Sequence, residues 1–128
     1  VRLGMHNVSV KNKTVQEIPA KRVILNPKWA IITKNTTEGE KMITTNDMML
    51  IELERPANIS GQVHPICLKK EAFNPGPLMC QGDDKKWYIA GVASFGHDQC
   101  GVANKYGVYA STASTRSWIE QHTQIPFF

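Results

Sequence analysis

The chain has 128 residues, enough for one ordinary domain and too few for two. Apolar residues make up 41% and charged residues 20%, which excludes a disordered or collagen-like chain, and no apolar run approaches the roughly 18 residues of a membrane helix. Net charge is +4, but Lys and Arg occur at most in pairs (Lys21-Arg22, Lys69-Lys70, Lys85-Lys86) without interleaved aromatics, which argues against a nucleic-acid partner.

Helical periodicity is nearly absent, and short β-rich runs recur between turn signals. In chain order the predicted strands are residues 8–10, 22–25, 48–53, 87–94 and 107–111, punctuated by Pro27, Pro56, Pro65, Pro75 and Pro77. Residues 33–46 are mostly polar and are expected to form a long surface loop. Met48-Met49-Leu50-Ile51 is a continuous apolar run, the pattern of a strand buried on both faces. One helix is predicted near the end, capped by Thr112 or Ser114, with Trp118, Ile119 and His122 as its inward stripe. The whole reads as an all-β sandwich or barrel with one C-terminal helix. Val1-Arg2-Leu3-Gly4 carries no signal-peptide pattern, so any such segment is expected to have been removed already.

N-x-Ser/Thr occurs four times, at Asn7-Val8-Ser9, Asn12-Lys13-Thr14, Asn35-Thr36-Thr37 and Asn58-Ile59-Ser60. This enrichment points to a secreted or cell-surface glycoprotein, with Asn7, Asn12, Asn35 and Asn58 on the surface because a glycan cannot be packed. That compartment permits disulfides, although three cysteines cannot all pair within one chain. His64-Pro65-Ile66-Cys67 and His97-Asp98-Gln99-Cys100 share a spacing that could offer zinc two His and two Cys. Pro65 and Ile66 occupy the place of the tight knuckle such sites use. The disulfide reading is therefore preferred, and no metal or other cofactor is expected.

The order of motifs carries more. Val1-Arg2-Leu3-Gly4-Met5-His6-Asn7-Val8 is followed by Ile18-Pro19-Ala20-Lys21-Arg22-Val23-Ile24-Leu25 and the turn Asn26-Pro27-Lys28-Trp29. Next come Asn46-Asp47-Met48-Met49-Leu50-Ile51-Glu52-Leu53, Pro56 and Val63-His64-Pro65-Ile66-Cys67-Leu68. The last group is Gly76-Pro77-Leu78-Met79-Cys80, residues 87–96, Asn104-Lys105-Tyr106-Gly107-Val108-Tyr109 and Trp118-Ile119. Over nearly the whole chain these segments resemble the trypsin/chymotrypsin-like serine proteases. The resemblance implies two antiparallel Greek-key β-barrels with the active site between them, here partial, and a C-terminal helix. Residues 1–68 would lie mainly on the first-barrel side and residues 72–128 on the second.

The family's reaction needs a nucleophilic serine, a histidine to take its proton, an aspartate to orient the histidine, and two N–H groups for the oxyanion. By resemblance Asp47 holds the aspartate position. The family's histidine lies in an Ala-Ala-His-Cys motif before the segment matched by Val1-Arg2-Leu3-Gly4, while His6, His64, His97 and His122 fit structural positions. Gly-Asp-Ser-Gly-Gly-Pro aligns with Ala72-Phe73-Asn74-Pro75-Gly76-Pro77, which puts Asn74 at the serine position. An amide nitrogen, its lone pair delocalised, is no nucleophile. Phe73 replaces the aspartate that pairs with the new N-terminal amine, and Pro75 replaces a loop glycine. Ser94-Phe95-Gly96 resembles the Ser-Trp-Gly strand that pairs with an extended peptide. Gly107 matches a glycine that keeps the specificity pocket open, with Tyr106 in place of the proline beside it.

In the family, the cysteines matching Cys67, Cys80 and Cys100 bond to segments that have no counterpart here. All three are therefore expected to bond to polypeptide outside this sequence, and the chain to be part of a longer protein. The resemblance implies an inactive homologue acting as an extracellular binding or assembly subunit, with a protein or peptide partner or a larger extracellular complex. The alternatives are an active serine endopeptidase whose His and Ser segments lie outside this sequence, and a purely structural glycoprotein subunit.

Overall fold

Short runs rich in β-branched and aromatic residues form strands throughout the residues that the computed structural model describes, namely 1–7, 9, 13–37, 39–68, 79–96, 103 and 107–125. The strands are β1 (Arg2–Leu3), β2 (Gln16–Glu17), β3 (Ala20–Leu25), β4 (Ala30–Thr36), β5 (Gly39–Thr45), β6 (Met49–Leu53), β7 (Cys67–Leu68), β8 (Met79–Gln81), β9 (Trp87–Ile89), β10 (Gly91–Phe95) and β11 (Val108–Ser111). One helix, α1 (Arg116–His122), follows them, so the described residues are all-β with a single helix near the end, as the sequence predicts. The predicted strand at residues 8–10 falls largely outside the described residues.

The strands pair as β1-β2, β3-β6, β4-β5, β10-β11 and β7-β9-β8. The β1–β2, β4–β5, β8–β9 and β10–β11 ladders are antiparallel. β7 runs parallel to β9, which the expectation of antiparallel barrels did not include. Residues 69–86 separate these two strands, long enough for the crossover that a parallel pair needs. The chain divides into two compact units, Val1–Ile24 with Met49–Pro65, and Leu25–Met48 with Ile66–Phe128.

In the first unit Ile18 is the buried apolar anchor, and its N–H donates to the Val1 carbonyl. Gly4 adopts φ +72°, and a Cβ there would approach Val63 to 3.1 Å, so this position needs glycine on two counts. Glu52 on β6 receives Lys21 at 2.7 Å and Arg22 at 3.2 Å from β3. The Lys21 hydrogen bond and charge hold its carboxyl below the usual range. The run Met48-Met49-Leu50-Ile51 is not buried on both faces. Met48 is buried, but Met49 is 55% and Ile51 40% exposed, and Val23 on β3 is also exposed. β6 pairs only with β3 among the described residues.

In the second unit, the expected loop at residues 33–46 is instead the β4–β5 hairpin. Its ladder runs from Ala30↔Thr45 to Thr36↔Gly39. Threonine is polar but β-branched, and the Thr and Ile residues here suit a pleated surface. Gly39, at φ +109°, supplies the turn conformation. The predicted strand 87–94 breaks at Ala90 into β9 and β10. There the Ala90 carbonyl leaves the ladder to accept the Thr112 N–H at 3.1 Å.

Tyr88, buried on β9, donates its hydroxyl to Asp84 at 2.8 Å. That bond pushes Tyr88 up to about 12 and lowers Asp84. The helix begins one residue later than a Ser114 cap would place it and three later than a Thr112 cap would. Thr115 is its N-cap, without a side-chain capping bond. The Thr112 hydroxyl turns instead to the Ile89 and Ala90 carbonyls, and the Ser114 hydroxyl to Ser111. Of the predicted stripe, Ile119 is buried, Trp118 half-buried and His122 exposed, with His122 Nδ1 2.9 Å from the Trp118 carbonyl oxygen.

Candidate functional site

The end of the hairpin aims Asp47. Asn46 takes φ 51°, a left-handed conformation that asparagine tolerates better than most residues, and its Nδ2 donates to the Lys28 carbonyl at 3.1 Å. The Met48 N–H then donates to the Asn46 carbonyl at 2.8 Å, a three-residue turn with Asp47 at its centre. Met48 anchors the turn from below. It is buried, and its sulfur receives the Thr115 hydroxyl at 3.1 Å.

A second device aims Ser94. On the β10–β11 ladder Ala93 pairs with Tyr109 and Phe95 with Val108, leaving Ser94 as the extra residue of a bulge. Bulges re-aim a side chain out of the strand's alternation. Here the Ser94 hydroxyl donates to Asp47 Oδ2 at 2.5 Å, a bond across 47 residues of sequence between two half-buried groups. Hydroxyl-to-carboxylate bonds at this length are among the stronger ones. The other carboxylate oxygen, Oδ1, has no hydrogen-bond partner among the described residues.

Asp47 and Ser94 share an open cavity of about 240 Å³ with Thr44, Asn46, Tyr109 and Ser114. That is below the roughly 300 Å³ at which small-molecule sites begin, so it suits a side chain better than a whole ligand. Tyr109 also explains Gly107. A Cβ at Gly107 would lie 3.1 Å from the Tyr109 hydroxyl oxygen, so the glycine lets this ring lie close. Gly96 approaches Gly107 in turn, its would-be Cβ 3.7 Å from the Gly107 Cα.

Of the residues singled out in the sequence, Asp47 and Ser94 are thus brought together, and Gly96 and Gly107 are neighbours. Phe95 is 42% exposed on β10. Within the second unit the described imidazole, His122, does not line the cavity, and His6, His64 and His122 are all exposed. Asn74, Cys100, His97 and Asn12 lie outside the described residues. Asn7, Asn35 and Asn58 are exposed. Thr44, Asn46, Tyr109 and Ser114 were not singled out for the cavity. An asparagine directly before Asp47 was the available signal, since Asn is the usual non-glycine residue at positive φ.

Among the described residues, Cys67 and Cys80 form no disulfide with each other. Both stand opposite Tyr88, one on each side of β9. Two strand spacings put their Cα atoms about 9.6 Å apart, beyond the ~7 Å reach of a disulfide, so they cannot bridge to each other. Among the described residues no cluster of three or more His, Cys, Asp and Glu side chains offers a metal site. No described helix is long and apolar enough to cross a membrane.

Comparison with known proteins agrees with the segment order. The family profile "Trypsin" matches residues 1–75 and 76–119. Transmembrane protease serine 11G of Rattus norvegicus is 40% identical over 134 residues, covering 95% of this chain and 32% of the relative. The Mus musculus protein of the same name is 29% identical over equal shares. Transmembrane protease serine 11E of Mus musculus is 26% identical, covering 95% of this chain and 31% of the relative. The chain therefore spans about a third of the length of the curated relatives it matches. With the profile matched from the first residue through most of α1, and the all-β fold in agreement, this chain belongs to the trypsin-like serine protease family.

Proposed function

We propose that this chain is a catalytically inactive trypsin-like homologue that works outside the cell as a glycosylated binding or assembly subunit. The reading is carried by the aligned serine loop, where an amide stands in place of the nucleophile. A carboxylate orients and stabilises a catalytic histidine but does not replace it as the base. Asn74 at the aligned serine position, with Phe73 and Pro75 beside it, supports the same reading from the sequence. Exposed Val23, Met49 and Ile51 on the paired strands β3 and β6 suit a subunit whose apolar surface another polypeptide covers. The four sequons, together with relatives named as transmembrane proteases, support an extracellular site.

The test is incubation of the full-length protein with a denatured protein substrate. Extended peptides are expected to bind, and mass spectrometry to find no new chain termini. Multiple-turnover cleavage would overturn the reading.

One observation favours the alternative of an active serine endopeptidase. The family match comes in two stretches that meet between residues 75 and 76, inside the Asn74 alignment, and the matched relatives are named as proteases. In that case Asp47, Ser94, Phe95, Gly96 and Gly107 serve in the family's roles beside segments outside this sequence.

A further inference from the structure

The sequon Asn35-Thr36-Thr37 is a motif that the cavity does not absorb, and the hairpin gives it a definite place. Along the β4–β5 ladder Ile31 pairs with Thr44, Thr33 with Met42 and Asn35 with Glu40. Side chains alternate across a strand, so these six share one face. Thr44 lines the Asp47–Ser94 cavity. Asn35 therefore stands on the cavity side of the hairpin, four residues beyond Ile31, or about 13 Å at the usual strand rise. On this face Ile31 is 58% and Met42 76% exposed.

The acceptor is unencumbered. Asn35 and Thr37 are exposed, and the Asn35 side chain has no hydrogen bond among the described residues. The Thr36 hydroxyl is turned to the Gly39 carbonyl at 2.8 Å. The other described sequons are more tied down. Asn7 Oδ1 accepts the Ser9 N–H at 2.9 Å. The Asn58 backbone is clamped by the Gln16 side chain, through its N–H at 2.8 Å and its carbonyl at 2.7 Å.

We propose that Asn35 carries an N-linked glycan that stands on the cavity-side face of the hairpin and screens the Asp47–Ser94 cavity from macromolecules while leaving it open to small molecules. The inference rests on the extracellular reading above. In the transfer, Asn35 Nδ2 attacks the anomeric carbon of an oligosaccharide carried on a lipid pyrophosphate. The N–C bond forms as the C–O bond to the pyrophosphate breaks. The pyrophosphate leaves with the electron pair, and the amide gives up one proton.

The test uses the full-length protein secreted from cells that glycosylate. Enzymatic deglycosylation in heavy-oxygen water, followed by peptide mass mapping, is expected to find Asn35 converted to labelled aspartate. An unlabelled Asn35 peptide, in a sample whose Asn7 or Asn58 peptide is labelled, overturns the proposal and leaves the extracellular reading standing. No label at any sequon counts against both. In the Asn35→Gln variant, an added glutamate-specific protease is expected to cut after Glu40, which shares the glycan's face of the hairpin, several-fold faster than in the glycosylated protein. Dilute hydrogen peroxide, a small reagent, is expected to oxidise Met42 at the same rate in both. Equal cleavage rates overturn the screening. Faster peroxide oxidation in the variant assigns the change to a loosened hairpin and overturns it as well.

Discussion

Replacing Ser94 with alanine deletes the one hydroxyl that the bulge in β10 delivers to Asp47. A hydrogen bond to a charged group contributes about 1.5–3 kcal/mol, and both groups here are half-buried rather than fully enclosed. The lower end applies, because water can reach part of the carboxylate once the hydroxyl is gone. Ser94→Ala is therefore expected to cost about 1.5 kcal/mol, a little over tenfold in the folding equilibrium. A chain of this length should lose roughly 6 °C in Tm. Asp47→Ala removes the acceptor, so the two changes share one interaction. Urea unfolding of wild type, both single variants and the double variant gives the coupling energy. About 1–1.5 kcal/mol is expected. Independent sites add to within about 0.5 kcal/mol, so a coupling inside that margin would refute the claim that Ser94 and Asp47 form one unit.

Asn46→Ala, at φ 51°, should cost about 1–3 kcal/mol, and Asn46→Gly clearly less because glycine accepts that backbone; equal losses would show that the Lys28 bond dominates. Ile119→Ala at the helix centre, 4% exposed, should cost about 2–4 kcal/mol in chemical denaturation, whereas Met42→Ala, 76% exposed, should stay within about 0.5 kcal/mol. Tyr88 should ionise at about 12 in an absorbance titration, and Tyr88→Phe should remove that late phase. Its folded pKa is raised, so the Tyr88 contribution to stability is complete below about 10 and fades as pH climbs towards 12. Asp84 is lowered, so its contribution is present above 3.8 and fades as pH falls below that value. Non-reducing peptide mapping of the full-length protein should find no bridge between Cys67 and Cys80, each with a partner elsewhere.

The parts of the fold that were readable are those where local pattern and tertiary need agree. β6 and β11 sit within predicted strands, and β3 contains one and extends it by two residues, because Val, Ile, Tyr and Leu suit both the pleat and a half-buried face. Ile119 marked the buried side of α1. The β4–β5 hairpin is masked in sequence because its threonines and lysines read as polar, although Thr33, Thr36, Thr44 and Thr45 are β-branched. The apolar run at β6 misled in the opposite sense. It describes a strand that wants cover on both faces, and Met49 and Ile51 stay 55% and 40% exposed on theirs. At the site, Asp47 and Ser94 were found separately, through motifs 47 residues apart. Their contact depends on a bulge and on one left-handed asparagine, and neither leaves a periodic mark in sequence. Resemblance gives Gly107 the task of keeping a pocket open, whereas its local reason is the Tyr109 ring two residues on.

Inactivity is tested most directly by a fluorophosphonate, which phosphonylates a serine only where a catalytic base activates it. Treated as the native full-length protein and weighed intact, the molecule should keep its mass, with Asp47 and Ser94 in place and no activated serine beside them. A stoichiometric mass gain mapping to one serine would contradict the binding-subunit account and establish the endopeptidase.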